Sequence, residues 1–231
     1  MTSVNDSSAS GERRALGRDE RLTRRAVLFG SVAGVGALAL SACAPAGMSR
    51  AQAEVAYGPV PSERFPIPAV NLNKVDEKYL RRTVSYASKE AVGTIIVDPR
   101  AHYVYRIEGD GMATRYGVSV GRQGFLWSGD AYIGRKAEWP VWTPPEEMIK
   151  RQPEAAKYAG GMAPGLDNPL GARVLYLYQD GRYTLYTLYS TSHPETIGKG
   201  ISSGCIGFLT QDMLDLYERT PVNTKVIVLK A

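Results

Sequence analysis

Two residues able to do nucleophilic chemistry lie near the C-terminal end of the chain. Cys205 is one of two cysteines and His193 one of two histidines, twelve positions apart within Tyr189–Phe208, Y-S-T-S-H-P-E-T-I-G-K-G-I-S-S-G-C-I-G-F. A lone thiol on a Gly/Ser loop, with an imidazole upstream in the same loop, is a candidate nucleophile with its general base. The flanking residues fit. Ser202, Ser203 and Gly204 are small, and Gly204 removes a side chain beside the sulfur. A substrate carbonyl can then approach, and backbone N–H groups can face it as an oxyanion hole. The competing reading makes Cys205 a small buried hydrophobe and His193 a surface or capping residue.

Those residues need a frame, and the pattern around them is mostly that of strands. Arg182–Tyr189 (R-Y-T-L-Y-T-L-Y) is rich in aromatic and β-branched residues and leads into the loop, while Thr210–Arg219 after it reads as a short helix. Val92–Asp98, His102–Glu108 and Met112–Val120 form a three-strand meander, with turns at Asp98-Pro99-Arg100 and Asp110-Gly111. Leu175–Tyr178 pairs with Arg182–Tyr189 about Asp180-Gly181, Lys225–Leu229 closes the sheet, and Glu146–Ala159 is the other plausible helix. The fold class expected is mainly β, a sandwich-like mixed β-sheet domain with one or two short helices. His102 falls in an alternating strand and reads as a sheet residue. Trp127, Trp139 and Trp142 read as core, with a rigid Trp/Pro loop beside the site as the alternative.

The N-terminus reads as an address. Arg24-Arg25 stands directly before an apolar run, Ala26–Ala42, which resembles a twin-arginine export signal. The run ends in Leu40-Ser41-Ala42-Cys43, a lipobox that makes Cys43 a lipidation site and implies a membrane partner through a lipid anchor; simple cleavage near residues 44–46 is the alternative. The expected division is a signal peptide at 1–43, a Pro/Ala/Gly-rich tether at 44–68, an arm at 69–91 and a catalytic domain at 92–231. With Cys43 lipidated, Cys205 is an unpaired thiol in an exported protein, which calls for a chemical reason. The formal charge of +5 is mild and no dense basic stripe is present, so no nucleic-acid partner is expected. No Cys/His spacing suits zinc and no glycine loop suits a nucleotide, so no metal and no cofactor are expected.

The segment I-G-K-G-I-S-S-G-C-I-G resembles the active-site signature of the L,D-transpeptidases, cysteine enzymes that remodel bacterial peptidoglycan. Upstream, Y-G-V-S-V-G-R-Q-G-F, W-P-V-W-T-P-P-E-E-M-I-K-R-Q-P-E and D-N-P-L-G-A-R-V-L-Y-L resemble the family in the same order, so the likeness covers Val92–Leu229. It implies a Cys205 acyl-enzyme formed on tetrapeptide stems of peptidoglycan. The acceptor would be a stem amine, water in a carboxypeptidase, or the N-terminus of an outer-membrane protein. It also implies a periplasmic location, with Ala44 after the lipobox favouring the outer membrane. Two positions depart from the signature: Tyr189 stands where the family has histidine, and Gly207 where it usually has arginine. Either His193 serves as the base, or the site has lost its proton acceptor and the chain is a peptidoglycan-binding envelope lipoprotein. Tyr189 could position the thiol, and Lys199 could supply the missing positive charge.

Overall fold

The computed structural model describes residues 48–122, 127–202 and 204–231. The expected signal peptide, Cys43 and the start of the expected tether lie outside them. Ten strands are present among the described residues: β1 (Arg82–Ser85), β2 (Ile95–Asp98), β3 (Tyr103–Gly109), β4 (Met112–Gly121), β5 (Gly129–Glu138), β6 (Arg173–Gln179), β7 (Arg182–Thr191), β8 (Gly200–Ser202), β9 (Ile206–Leu209) and β10 (Lys225–Val228). Three α-helices accompany them: α1 (Arg50–Ala56), α2 (Glu146–Arg151) and α3 (Thr210–Glu218). The mainly β, sandwich-like class expected of the sequence is the one observed.

Hydrogen-bonded neighbours run β1-β4-β3-β2-β10-β5-β6-β7-β9, and β9 also pairs with β4. The curved sheet therefore returns on itself, its halves facing each other across one core. Ile95, Tyr116, Ile133, Leu175, Leu188 and Phe208 point inward, and Met213 and Leu216 of α3 complete the packing. The 92–120 meander and the hairpin about Asp180-Gly181 form as the turn residues predict. β10 does not close an edge. It lies inside the sheet, parallel to β2 and antiparallel to β5.

Three expectations change. His102 is not in a strand. Asp98 Oδ1 accepts from the N–H groups of Arg100 (3.1 Å) and Ala101 (3.0 Å), and this Asx turn holds His102 at φ +59°, so β3 begins one residue later. The helix over 146–159 stops at Arg151, because Pro153 cannot donate into it; a 3₁₀ segment, Pro153–Tyr158, follows. The tether is, from residue 48 on, part of the fold. Ser49 and Gln52 form a reciprocal capping box on α1. Tyr57 then buries its ring, accepts from the Arg81 N–H (2.7 Å) and donates to Asp212 (3.1 Å). Gln211 Nε2 donates to the carbonyls of Gly58 (2.8 Å) and Pro68 (3.1 Å). The prolines keep this stretch extended, and side chains of α3 satisfy its exposed carbonyls.

The arm also braces the loop that leads to the cysteine. A Cβ at Gly198 would lie 2.2 Å from the Tyr79 ring, and one at Gly117 2.3 Å from the Tyr79 carbonyl oxygen, so Tyr79 is clamped between loop and sheet. Leu72, Val75 and Leu80 pack with Ile197 and Leu209 around it.

At the arm–α3 junction sits one buried carboxylate. Asp212 has Arg81 Nε 3.7 Å away, but the guanidinium's closer contact is to Asp215 (2.9 Å). Burial lifts the Asp212 carboxyl to about 7, with Asp215 adding to the rise; Arg81 and the Tyr57 hydroxyl oppose it. A carboxyl whose folded pKa lies above its unfolded value near 3.9 favours folding below about pH 4, and that contribution is lost as pH rises towards 7. Asp212→Asn should remove this slope. Relative to the parent, the variant's melting temperature should rise between pH 4 and 7.5. A difference that stays constant over that range contradicts the assignment.

Candidate active site

The site forms where β9 lies between β7 and β4. β7 and β9 are parallel, with Leu188 opposite Ile206 and Tyr189 opposite Gly207. That register sets Thr187 beside Cys205. On the other side, Ser119 of β4 pairs with Gly207. Thr187 and Tyr189 are two residues apart on one strand and share a face.

β7 carries a bulge here. Its pairing with β6 jumps from Tyr176–Thr187 to Tyr178–Tyr183. Within the bulge Leu185 takes φ +70°, a backbone conformation unusual for a bulky residue, and its side chain is largely exposed. The Leu185 carbonyl accepts from Cys205 Sγ at 3.8 Å. Bulges next to active sites commonly re-aim a group in this way.

Cys205 is partly buried and free. Burial raises its thiol above the ordinary value, and the Thr187 hydroxyl and N–H pull in the opposite direction. Three phenols feel its charge: those of Tyr183, Tyr186 and, opposite Gly207 on the parallel ladder, Tyr189. Burial pushes the Tyr189 phenol up to about 12, charge on Cys205 adds to the rise, and a hydrogen bond with Ser119 opposes it. Both groups are therefore neutral near pH 7. A neutral phenol cannot hold an extra proton, but it can accept one proton while giving up its own.

The other sequence-predicted residues are placed as follows. His193 lies two residues beyond the far end of β7, its side chain 70% exposed, with Nδ1 3.3 Å from Glu195 Oε1. Along the ladder, Thr191 is already four residues past Thr187, about 13 Å at a strand's rise. The structure does not bring the imidazole to the sulfur. The base expected at His193 is displaced because the parallel pairing carries the end of β7 away from the start of β9. Lys199 is exposed, its carbonyl accepts from Val120 N–H (3.0 Å), and its charge is not among the influences on the thiol. Ser202 Oγ donates to the Cys205 carbonyl (2.6 Å) and accepts from the Gly204 N–H (3.2 Å), so this hydroxyl braces the turn and engages the N–H expected to face substrate. Gly204 holds φ +126°, which a side chain would resist. Ser203 lies outside the described residues.

Sequence reasoning missed Ser119, Leu185 and Thr187. The alternation of β7 could have flagged Thr187 as sharing a face with Tyr189, whereas nothing in the sequence marks Ser119. The two departures from the signature are also linked in space. A Cβ at Gly207 would meet Ser119 Oγ at 2.5 Å and Tyr189 Oη at 3.1 Å. The phenol at 189 and the missing side chain at 207 fit one another.

Residues 93–228 match the YkuD model, the L,D-transpeptidase catalytic domain. The chain belongs to that family. A putative L,D-transpeptidase encoded in the ATP synthase subunits region of Fuscovulum blasticum (ORF 5) is 35% identical over 97 residues, 42% of this chain and 47% of that protein. The probable L,D-transpeptidase YbiS of Escherichia coli (strain K12) is 35% identical over 95 residues, 41% of this chain and 29% of that protein. The matched part thus spans less than half the length of either relative. Among solved structures, a Brucella melitensis protein described as a probable carnitine operon oxidoreductase is 39% identical, covering 69% of this chain and 99% of that one with a TM-score of 0.47. An L,D-transpeptidase from Mycobacterium smegmatis is 18% identical, covering 59% and 58%, with a TM-score of 0.42.

The fit between positions 119, 189 and 207 can be measured. Gly207→Ala should destabilise the fold by about 1–3 kcal/mol through overpacking. Adding Ser119→Ala removes the nearest clashing atom and should recover most of that loss in a double-mutant cycle read by denaturant unfolding. Simple additivity of the two changes contradicts the packing described.

Proposed function

We propose that this chain is a peptidoglycan L,D-transpeptidase that works through a Cys205 acyl-enzyme, with Tyr189 as its proton-transfer partner. The observation that carries the reading is the juxtaposition of the Cys205 thiol and the Tyr189 phenol on adjacent parallel strands. Family membership supports the reaction class.

In the first step Sγ attacks the carbonyl carbon of the bond between the L-centre and the terminal D-residue of a tetrapeptide stem. The C–N bond breaks, a thioester forms, and the D-residue leaves as an amine. Tyr189 accepts the thiol proton and passes its own to the leaving nitrogen, so neither group needs to carry charge beforehand. In the second step an amine from another stem attacks the thioester, and the proton it loses returns to sulfur by the reverse path. Water in that role makes the product a trimmed stem, and a protein amine makes a protein–peptidoglycan link. Export by the twin-arginine signal, a periplasmic location and a lipid anchor at Cys43 belong to the same reading.

One observation favours a second reading. Burial disfavours the thiolate, and among the described residues no cation or imidazole offsets it, as suits a peptidoglycan-binding lipoprotein that does not turn over. Incubating the protein with disaccharide-tetrapeptides and analysing the products by mass spectrometry separates the two. Crosslinked dimers or trimmed stems, absent with Cys205→Ala, support the enzyme; intact stems throughout support the binder. Tyr189→Phe should slow acylation at least about 10²-fold, the usual scale for loss of a proton-transfer group, while His193→Ala stays near the parent rate. The reverse ranking overturns the role given to Tyr189.

A further inference from the structure

We infer that Thr187 is a third functional residue of the site, its hydroxyl held in reserve as a hydrogen-bond donor to the Cys205 thiolate. The inference builds on the reading of Cys205 as a nucleophile, although its test does not require stem peptides.

Three observations carry it. The register sets Thr187 directly beside Cys205 across the parallel ladder, on the strand face it shares with Tyr189. The residue is only 2% exposed. Its Oγ1 has no hydrogen-bond partner of ordinary geometry among the described residues. Buried hydroxyls are normally paired, and one that is not needs an explanation. Threonine hydroxyls in strands usually find a carbonyl, as Thr184 does with Leu177 O (2.8 Å). In the resting site the thiol donates to the Leu185 carbonyl instead, on the side supplied by the bulge. That leaves Thr187 facing a sulfur that is a weak acceptor while protonated. Once the proton leaves, the sulfur becomes a charged acceptor and the hydroxyl can turn to it. Hydrogen bonds to charged groups are the strong ones.

This arrangement favours the charged sulfur over the neutral one, which is the requirement for an interaction that assists reaction rather than mere binding. The influence of Thr187 on the thiol, opposing that of burial, agrees with it. In a site where no imidazolium flanks the sulfur, a pre-placed neutral donor is the stabilising group at hand. A structural threonine would behave differently. Its hydroxyl would already be paired in the resting state, and its removal would cost stability without touching the sulfur.

The test is alkylation of Cys205 by iodoacetamide as a function of pH, in the parent and in Thr187→Val and Thr187→Ser, with modification at Cys205 followed by peptide mass spectrometry. Valine keeps the shape and removes the hydroxyl; serine keeps the hydroxyl. Thr187→Val should raise the midpoint by about one pH unit, close to a tenfold lower rate at fixed pH below it, and Thr187→Ser should stay at the parent midpoint. Thr187→Val should melt at or above the parent temperature, because an unpaired buried hydroxyl has been replaced by a methyl. An unchanged midpoint in Thr187→Val overturns the inference, as does an equal shift in the serine variant. Should the valine variant not fold, Thr187→Ala carries the same comparison. If the parent never acylates with stem peptides yet the midpoint shifts as described, the transpeptidase reading fails and the role of Thr187 stands.

Discussion

The close approach of three strands at Gly207 governs this structure. β9 is four residues long, yet it joins β7 to β4 and so closes the sheet. Closure brings Ser119, Tyr189 and Gly207 together, and the space above Gly207 is already filled by a hydroxyl and a phenol. The same register, followed two residues back, sets Thr187 beside Cys205. Sheet topology and site chemistry are thus two consequences of one set of backbone hydrogen bonds.

Around that seam the chain supports the loop rather than the sulfur directly. Tyr79 is seated against Gly198, and the buried side of the arm packs on Ile197 and Leu209. Tyr57, Arg81, Asp212 and Asp215 tie the arm to α3, which begins directly after β9. The arm, with Ala53 and Tyr57 from the stretch that composition marks as a flexible spacer, therefore fixes the path of the segment carrying the nucleophile. Because the arm holds both ends of the loop, disturbance of the arm should reach the site without touching it.

The frame was legible in the sequence because strand alternation and turn chemistry are local. Asp110-Gly111 and Asp180-Gly181 announce their turns, and Cys205 stands out by type and neighbours. The family signature marks Tyr189 as a candidate beside the sulfur, but local sequence does not choose between it and His193. His193 is near in sequence, but proximity along a loop says nothing about which end of a parallel pair it leaves from. Thr187 lies beside Cys205, and Tyr189 opposite Gly207, through the register of β7 with β9, a non-local fact. Residues 48–68 look like a spacer for a related reason: proline content reports on local conformation, while the burial of Tyr57 depends on α3, 155 positions away at Asp212. The capping box at Ser49 and Gln52 was the local signal available there.

The proposed mechanism requires a sulfur that is uncharged at rest and gives up its proton only as it attacks. Carbon NMR of protein labelled at the cysteine Cβ, followed across pH and assigned by comparison with Cys205→Ser, reads that charge directly. The predicted result is a titration midpoint for Cys205 above the free thiol value of about 8.5. A midpoint below 7 would mean a thiolate already formed beside a hidden cation, and would contradict the mechanism drawn from this site.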